Sequence, residues 1–270
     1  MVLLQTAKWN QVSPYNNHTP VEGSDHTVTD CIATATGILL QYAKYPNQLV
    51  DGKTSYKGTP ISYGTYDWSL MPASCPTTDA EIEQVSTLLW HIGANAEMEY
   101  GVVVSTTYDV NAALFLRNNA QFNKGTRLIY KNDHYWKEWK DMIRKTLRGS
   151  DGQGYPLLYR GEGSGGGHMF LLDVFGPDEY FHVNWGWGGY CYGNYLLTAL
   201  EHFMSFNNNM GMIYGAVPKT VADEDFVELR SYQFDLEGNI TAGEPFTIRL
   251  ECINTGSLTH DYYLGIGVFD

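Results

Sequence analysis

Cys31 and His168 are the residues of this chain best suited to covalent chemistry together. Cys31 lies in Thr29-Asp30-Cys31-Ile32-Ala33-Thr34-Ala35, where Thr29 or Asp30 can cap a helix. A thiol in the first turn of a helix meets unpaired N–H groups and the positive end of the dipole, and both favour the nucleophilic thiolate. His168 follows Gly163-Ser164-Gly165-Gly166-Gly167 and opens the apolar run Met169-Phe170-Leu171-Leu172. Glycines let a ligand approach the backbone, and an imidazole exchanges protons near neutral pH. Asn184, in Asn184-Trp185-Gly186-Trp187-Gly188-Gly189, can accept the imidazole N–H and hold the ring, with Trp185 keeping water from that bond. Gln11, in Trp9-Asn10-Gln11, can donate to a developing oxyanion. Each residue also has a plainer reading: a small buried hydrophobe, a loop histidine, a Trp/Gly turn that merely packs, a polar loop amide. Taken in order, however, the four form a set for acyl transfer through a thioester.

The elements that must position them are legible from periodicity. A helix is expected from about Cys31 to Lys44, with Ile32, Ala35, Leu39 and Ala43 on one face and Pro46 as its stop. Thr78-Asp79-Ala80-Glu81 reads as a capping box before Ile82, Val85, Leu88, Leu89 and Ile92, with Gly93 ending the pattern. A shorter helix is expected over 109–118, and another from Asp133 with Trp136, Trp139, Ile143 and Leu147 inward. From 155 the period changes. Tyr155–Arg160, His168–Phe175, Glu179–Trp185 and Tyr190–Leu197 read as an antiparallel meander whose hairpin returns Asn184 towards His168. Helices first and strands later predict an α+β domain. From about Pro218, Val227–Phe234, Phe246–Cys252 and Tyr262–Phe269 read as strands of a partial Ig-like β-sandwich. The expected organisation is one domain over 1–218 and an accessory β segment over 219–270.

Composition bounds the partners. A net charge of −13 repels phosphate backbones and speaks against nucleic acid. No run of about 18 apolar residues occurs, so no transmembrane segment is expected, and Met1–Gln5 is too short for a signal peptide. Cys31, Cys75, Cys191 and Cys252 allow two disulfides, but their wide spacing does not suit structural zinc.

The order Cys, His, Asn on a helical half followed by a β half is that of papain-like peptidases. At these residues the sequence resembles the streptopain family of bacterial cysteine peptidases. The resemblance rests on Trp9-Asn10-Gln11 with Pro14-Tyr15-Asn16, Cys31-Ile32-Ala33-Thr34-Ala35-Thr36 running to Tyr45-Pro46, Met98-Glu99-Tyr100-Gly101, Gly166-Gly167-His168, and His182-Val183-Asn184-Trp185-Gly186-Trp187-Gly188-Gly189. It implies a papain-like two-part fold with the active-site cleft between the parts. Cys31 would be the nucleophile and His168 the acid–base. Gln11 and the Cys31 N–H would form the oxyanion hole, Asn184 would orient His168, and Trp185 would cover that contact. Gly166, Gly167, Met169 and, less directly, Ser105 would line the substrate cleft. The resemblance further implies protein or peptide substrates with a preference for a hydrophobic residue two positions before the cleaved bond, no metal or organic cofactor, and a secreted or surface location. It implies a precursor inhibited by its own N-terminal prodomain, this chain being the mature form. Two departures are visible. Asp30 precedes the nucleophile where members of that family carry glycine, and Gly101-Val102-Val103-Val104-Ser105 is more apolar than its counterpart. The same catalytic residues would also serve a transamidating enzyme, and the fold alone a non-catalytic binding module.

Overall fold

A computed structural model describes residues 2–149, 152–176, 178–201, 204–225, 229–237, 247–254 and 256. In chain order the elements are β1 (Val2–Leu3), a hairpin of β2 (Val21–Glu22) and β3 (Asp25–His26), α1 (Cys31–Ala43), and a hairpin of β4 (Ser55–Tyr56) and β5 (Thr59–Pro60). There follow α2 (Asp79–Asn95), α3 (Asp109–Asn118), β6 (Arg127–Tyr130) and α4 (Trp136–Arg148). The strands β7 (Leu157–Gly163), β8 (Gly166–Phe175), β9 (Tyr180–Asn184), β10 (Gly193–Leu196) and β11 (Asn208–Tyr214) complete the domain, before a hairpin of β12 (Leu229–Glu237) and β13 (Thr247–Asn254).

The large sheet is antiparallel, in the order β10-β9-β8-β7-β11-β6. β1 pairs with the end of β8, at Phe175 and Val174, beyond the stretch that β7 covers. Side-chain alternation divides the core in two. Leu158, Met169, Leu171 and Ile213 pack with α1, α2 and α3. Leu157, Tyr159, Phe170, Leu172 and Met212 pack with Trp139, Ile143 and Leu147 of α4. The sheet therefore lies between three helices and one.

The helices follow their sequence signals closely. α1 ends with Lys44 in the left-handed conformation, its N–H returning to Gln41 and Leu40. Thr78 and Glu81 make the reciprocal capping box of α2. That helix runs through Gly93 to Asn95, because the glycine is where the Tyr100 ring packs: a Cβ there would lie 2.0 Å from the Tyr100 hydroxyl. α4 starts at Trp136, the preceding Lys131–Asp133 forming a single 3-10 turn. The strand expected over 190–197 is a turn followed by Gly193–Leu196. The short strands β1–β5 and, in the large sheet, β6 and β11 lie outside the expected set; β11 fills the place between β7 and β6.

Residues 219–225 pack back on 121–125: Lys219 N donates to Gln121 O, and Glu224 N donates to the Asn123 side chain. Of the expected Ig-like segment, the described residues contain the β12–β13 hairpin, and the Tyr262–Phe269 strand lies outside them. All four cysteines are free thiols. No helix among the described residues is long and apolar enough to cross a membrane.

Candidate active site at the junction of helix and sheet

Asp30 caps α1, its Oδ1 accepting the Ile32 N–H at 2.7 Å, and Cys31 is the first helical residue. The segment before them is fixed from two sides. Thr29 N donates to Gln11 O at 3.0 Å, which sets Gln11 beside the start of the helix. Val28 N donates to Gly101 O, and Ser105 Oγ donates to Val28 O at 2.7 Å while accepting the Gly101 N–H. Ser105 is buried, and its hydroxyl is thus engaged with backbone rather than turned to a ligand. The valines between, Val102, Val103 and Val104, are exposed.

β8 brings the second half. The Met169 N–H points at Cys31 Sγ, 3.4 Å away, so the strand that carries His168 touches the sulfur through the very next residue. Gly166 and Gly167 are exposed at the turn end of the β7–β8 hairpin, whereas the Met169 side chain is buried among the helices. His168 is itself 7% exposed. Its Nε2 lies 2.9 Å from the Trp185 carbonyl oxygen. Its ring lies flat against Trp187, centroids 4.6 Å apart, with Phe206 at 5.3 Å and Trp185 at 6.0 Å.

Asn184 is placed otherwise than the sequence suggests. It pairs with Leu171 on β8 and is wholly buried. Its Nδ2 donates to Thr6 Oγ1 at 2.8 Å and to Ala7 O at 2.9 Å. Its Oδ1 accepts the Gly186 N–H at 3.1 Å and the Tyr192 hydroxyl. Both donors and both lone pairs are therefore taken. The amide braces the turn after β9, and the turn's Trp185 carbonyl meets the imidazole. Gly186 and Gly188, at φ 73 and 65, give that turn the left-handed backbone it needs. Gly188 N also donates to Trp9 O at 2.8 Å, and Thr6 Oγ1 donates to Asp173, which holds His182 at 2.7 Å. The N-terminal segment thus straps the turn from outside. Trp185 is fully buried with its Nε1 on Cys191 O, and the ring nearest His168 is that of Trp187.

The electrostatics at Cys31 are unusual. Cys31 Sγ lies 3.7 Å from Asp30 Oδ2, to which the thiol donates. Burial and then the charges of Asp30 and Asp109 hold the thiol well above its ordinary range, against the opposing Met169 N–H. Burial likewise pushes the Asp30 carboxyl up to about 7, despite hydrogen bonds from the Ile32 and Cys31 backbone. Asp30 also adopts φ 76, ψ 157, a region that glycine enters freely and that costs any other residue about 1–3 kcal/mol.

Sequence reasoning missed the charged cluster flanking this point. Arg160, 4% exposed, places Nε 2.8 Å from Asp109 Oδ2, in a direction that departs from a hydrogen bond. Its other nitrogens meet Glu162 Oε1 and Asn209 O, each at 2.5 Å. The partners are scattered along the chain, and no local spacing marks them. Two cavities, of about 260 and 490 Å³, lie elsewhere and include neither Cys31 nor His168. Among the described residues no group of three or more His, Cys, Asp or Glu is placed to hold a metal ion.

A sequence profile described as the Peptidase C10 family matches residues 9–195. Curated relatives include the thiol protease/hemagglutinin PrtT of Porphyromonas gingivalis, 33% identical over 205 residues, 72% of this chain and 23% of that protein. Streptopain of Streptococcus pyogenes is 30% identical over 218 residues, 72% of this chain and 54% of that protein. The chain therefore spans about half the length of streptopain and about a quarter of PrtT. Among solved structures, active wild-type interpain A, a cysteine protease of Prevotella intermedia, superposes with a TM-score of 0.70 at 29% identity, covering 80% of this chain and 94% of that one. A prointerpain A fragment gives 0.68 at the same identity, covering 80% of this chain and 71% of that one.

Proposed function

The chain belongs to the Peptidase C10 family, and from that premise we propose that it is a secreted cysteine endopeptidase acting on proteins or peptides through an acyl-enzyme, with Cys31 as nucleophile and His168 as acid–base. The observation that carries this reading is the Met169 N–H on Cys31 Sγ, which joins the helix of the nucleophile to the strand of the base. Cys31 Sγ attacks the scissile carbonyl. The oxyanion develops at the start of α1, where the neighbouring Gln11 amide donates, joined by the Cys31 N–H as it turns from the Asp30 carboxyl; one such donor is worth on the order of a hundredfold or more in rate. His168 Nε2 is held by the Trp185 carbonyl. Proton delivery to the leaving amine accordingly falls to Nδ1. Asn184 serves by holding the turn, Trp185 by its carbonyl and Trp187 by covering the ring. Gly166 and Gly167 leave space for an extended substrate along the hairpin end, and the exposed valines of 102–104 offer an apolar subsite wall.

A prodomain that inhibits the precursor is part of the same proposal, supported by the existence of a prointerpain form of a structural relative. The test is hydrolysis of unfolded casein by the wild type, Cys31→Ala and His168→Ala. Loss of cleavage in both variants supports the assignment. Cleavage by Cys31→Ala at the wild-type rate would overturn it, and absence of cleavage by the wild type would favour a binding module.

A further inference from the structure

Two acids meet at the nucleophile with no cation of their own. The Cys31 thiol and Asp30 Oδ2 are 3.7 Å apart; Asp30 is buried and Cys31 half-buried. The carboxylate facing them argues against two negative charges here, and the nearby guanidinium is engaged elsewhere. From α3, Asp109 adds a further carboxylate, which raises the proton affinity of both. From β7, Arg160 is committed to Asp109, Glu162 and Asn209 O, and Asp30 makes no ion pair among the described residues. From the segment after α2 the neighbour is the Tyr100 phenol, which Asp30 itself helps keep protonated. From β8 come the neutral Met169 N–H and, one residue earlier, His168. Like charges this close in a low-dielectric site do not ionise together, and the pair titrates as a unit.

We propose that Cys31 and Asp30 share a single proton, so that the reactive thiolate exists only while Asp30 holds that proton as the neutral acid. The statement rests on the reading of Cys31 as nucleophile. In the step, the S–H bond breaks and an O–H bond forms on Asp30 Oδ2, with no net change of charge. A second proton resides on His168 and is the one delivered to the leaving amine. Removing one proton from this set leaves an Asp30 carboxylate, a thiol and a neutral imidazole, and the nucleophile is lost. Asp30 is then a catalytic residue in contact with the reacting sulfur, and it sets the alkaline limit of the reaction. The Asp30 carboxyl, lifted by burial to about 7, places that limit near neutral pH.

Asn and Gly at position 30 test this. Asn keeps a cap acceptor and the same backbone strain; Gly removes the strain. The alkylation rate of Cys31 by iodoacetamide is followed in its own peptide by mass spectrometry between about pH 5 and 9, beside kcat/KM for a peptide substrate. In the wild type labelling falls away as pH rises through about 7, whereas in Asp30→Asn and Asp30→Gly the midpoint of that fall moves up by at least about one pH unit, roughly tenfold faster labelling at a fixed pH between the midpoints, and the alkaline limb of kcat/KM moves up with it. Coincident midpoints in the variants and the wild type overturn the proposal, as does a uniform fall in kcat/KM with no movement of the limb. Alkylation requires no peptide cleavage. A shifted midpoint without hydrolysis would sink the peptidase reading and leave the shared proton standing, and hydrolysis with unshifted profiles would do the reverse.

Discussion

Asn184→Ala separates two ways in which an amide can serve a catalytic histidine. If the amide bonded the imidazole directly, its loss would slow turnover and leave the fold nearly intact. In the structure it bonds Thr6, Ala7, Gly186 and Tyr192 instead, and it has no exposure at all. Truncation strands Ala7 O, the Gly186 N–H and the Tyr192 hydroxyl, while Thr6 keeps Asp173. Each buried group left without a partner costs about 1–3 kcal/mol. Three of them come to roughly 3–6 kcal/mol, allowing for a water that enters the vacated space and takes up part of the loss. That is a large share of a domain stability of about 5–15 kcal/mol. Urea unfolding followed by tryptophan fluorescence measures it, since Trp185 and Trp187 lie in the affected turn. Asn184→Asp refines the test: it keeps the acceptor for Gly186 and Tyr192 but turns an oxygen towards Ala7 O, so it loses stability through the N-terminal strap alone. The brace predicts that stability and kcat fall together in both variants. An Asn184→Ala protein that loses less than about 1 kcal/mol yet is slowed a hundredfold would refute the reasoning and return the amide to the imidazole.

Ser105→Ala leaves Val28 O and the Gly101 N–H unpaired beneath the nucleophile segment, a loss of about 1–3 kcal/mol read in unfolding, with KM for peptide substrates little changed. A KM effect without a stability effect would restore a direct substrate contact. Gly161→Ala puts a Cβ 2.0 Å from the Phe206 carbonyl, and Phe206 lies against His168. Backbone cannot yield as a flexible side chain does, so destabilisation of at least about 1–3 kcal/mol and reduced kcat are expected together. Asp30 gives a pH dependence of stability as well. Its carboxyl stands at about 7 in the fold against an ordinary 3.8, so the folded state binds this proton more tightly. Stability from this group is full at low pH and is lost as pH rises from about 4 to about 7, by at most roughly 4 kcal/mol. In Asp30→Asn that slope disappears; parallel unfolding profiles for the two proteins across this range would count against the burial argument.

Much of the catalytic half was legible because its signals are local. The cap before Cys31, the Thr78–Glu81 box and the alternation after Gly167 each fix an element within a few residues, and α1, α2, α3, β7, β8 and β9 follow from them. β6 and β11 were missed because Arg127-Leu128-Ile129-Tyr130 is short and Asn208-Asn209-Met210-Gly211 interrupts any alternation; their pairing with each other and with β7 is non-local. The same limit applies to the site. The order of Gln11, Cys31, His168 and Asn184 could be read from the chain. That Asn184 would be saturated by the N-terminal segment could not, because Thr6 and Ala7 lie more than half the chain away. Nor does any sequence pattern give the sign of φ at Asp30.

The arrangement around His168 shows why a braced turn can replace a side-chain amide. A carbonyl acceptor at Nε2 fixes the imidazole only if the carbonyl itself is fixed, and a Gly-rich turn is a poor mount. Here the mount is held at Gly186 by Asn184, at Gly188 by Trp9 and at Trp185 Nε1 by Cys191 O. The stacked rings of Trp185 and Trp187, 5.6 Å apart and 14° from parallel, then fill the space over the imidazole. The Trp187 ring, 4.6 Å from the imidazole, covers the group whose proton accompanies a thiolate in the proposed mechanism. At Cys31 the local charges press the other way, since Asp30 and Asp109 both oppose the thiolate. The aromatic cover shields the imidazole, while the carboxylates keep the sulfur neutral until Asp30 takes up a proton. Reactivity is thus set by where two protons sit among three groups rather than by the helix dipole acting on an isolated thiol.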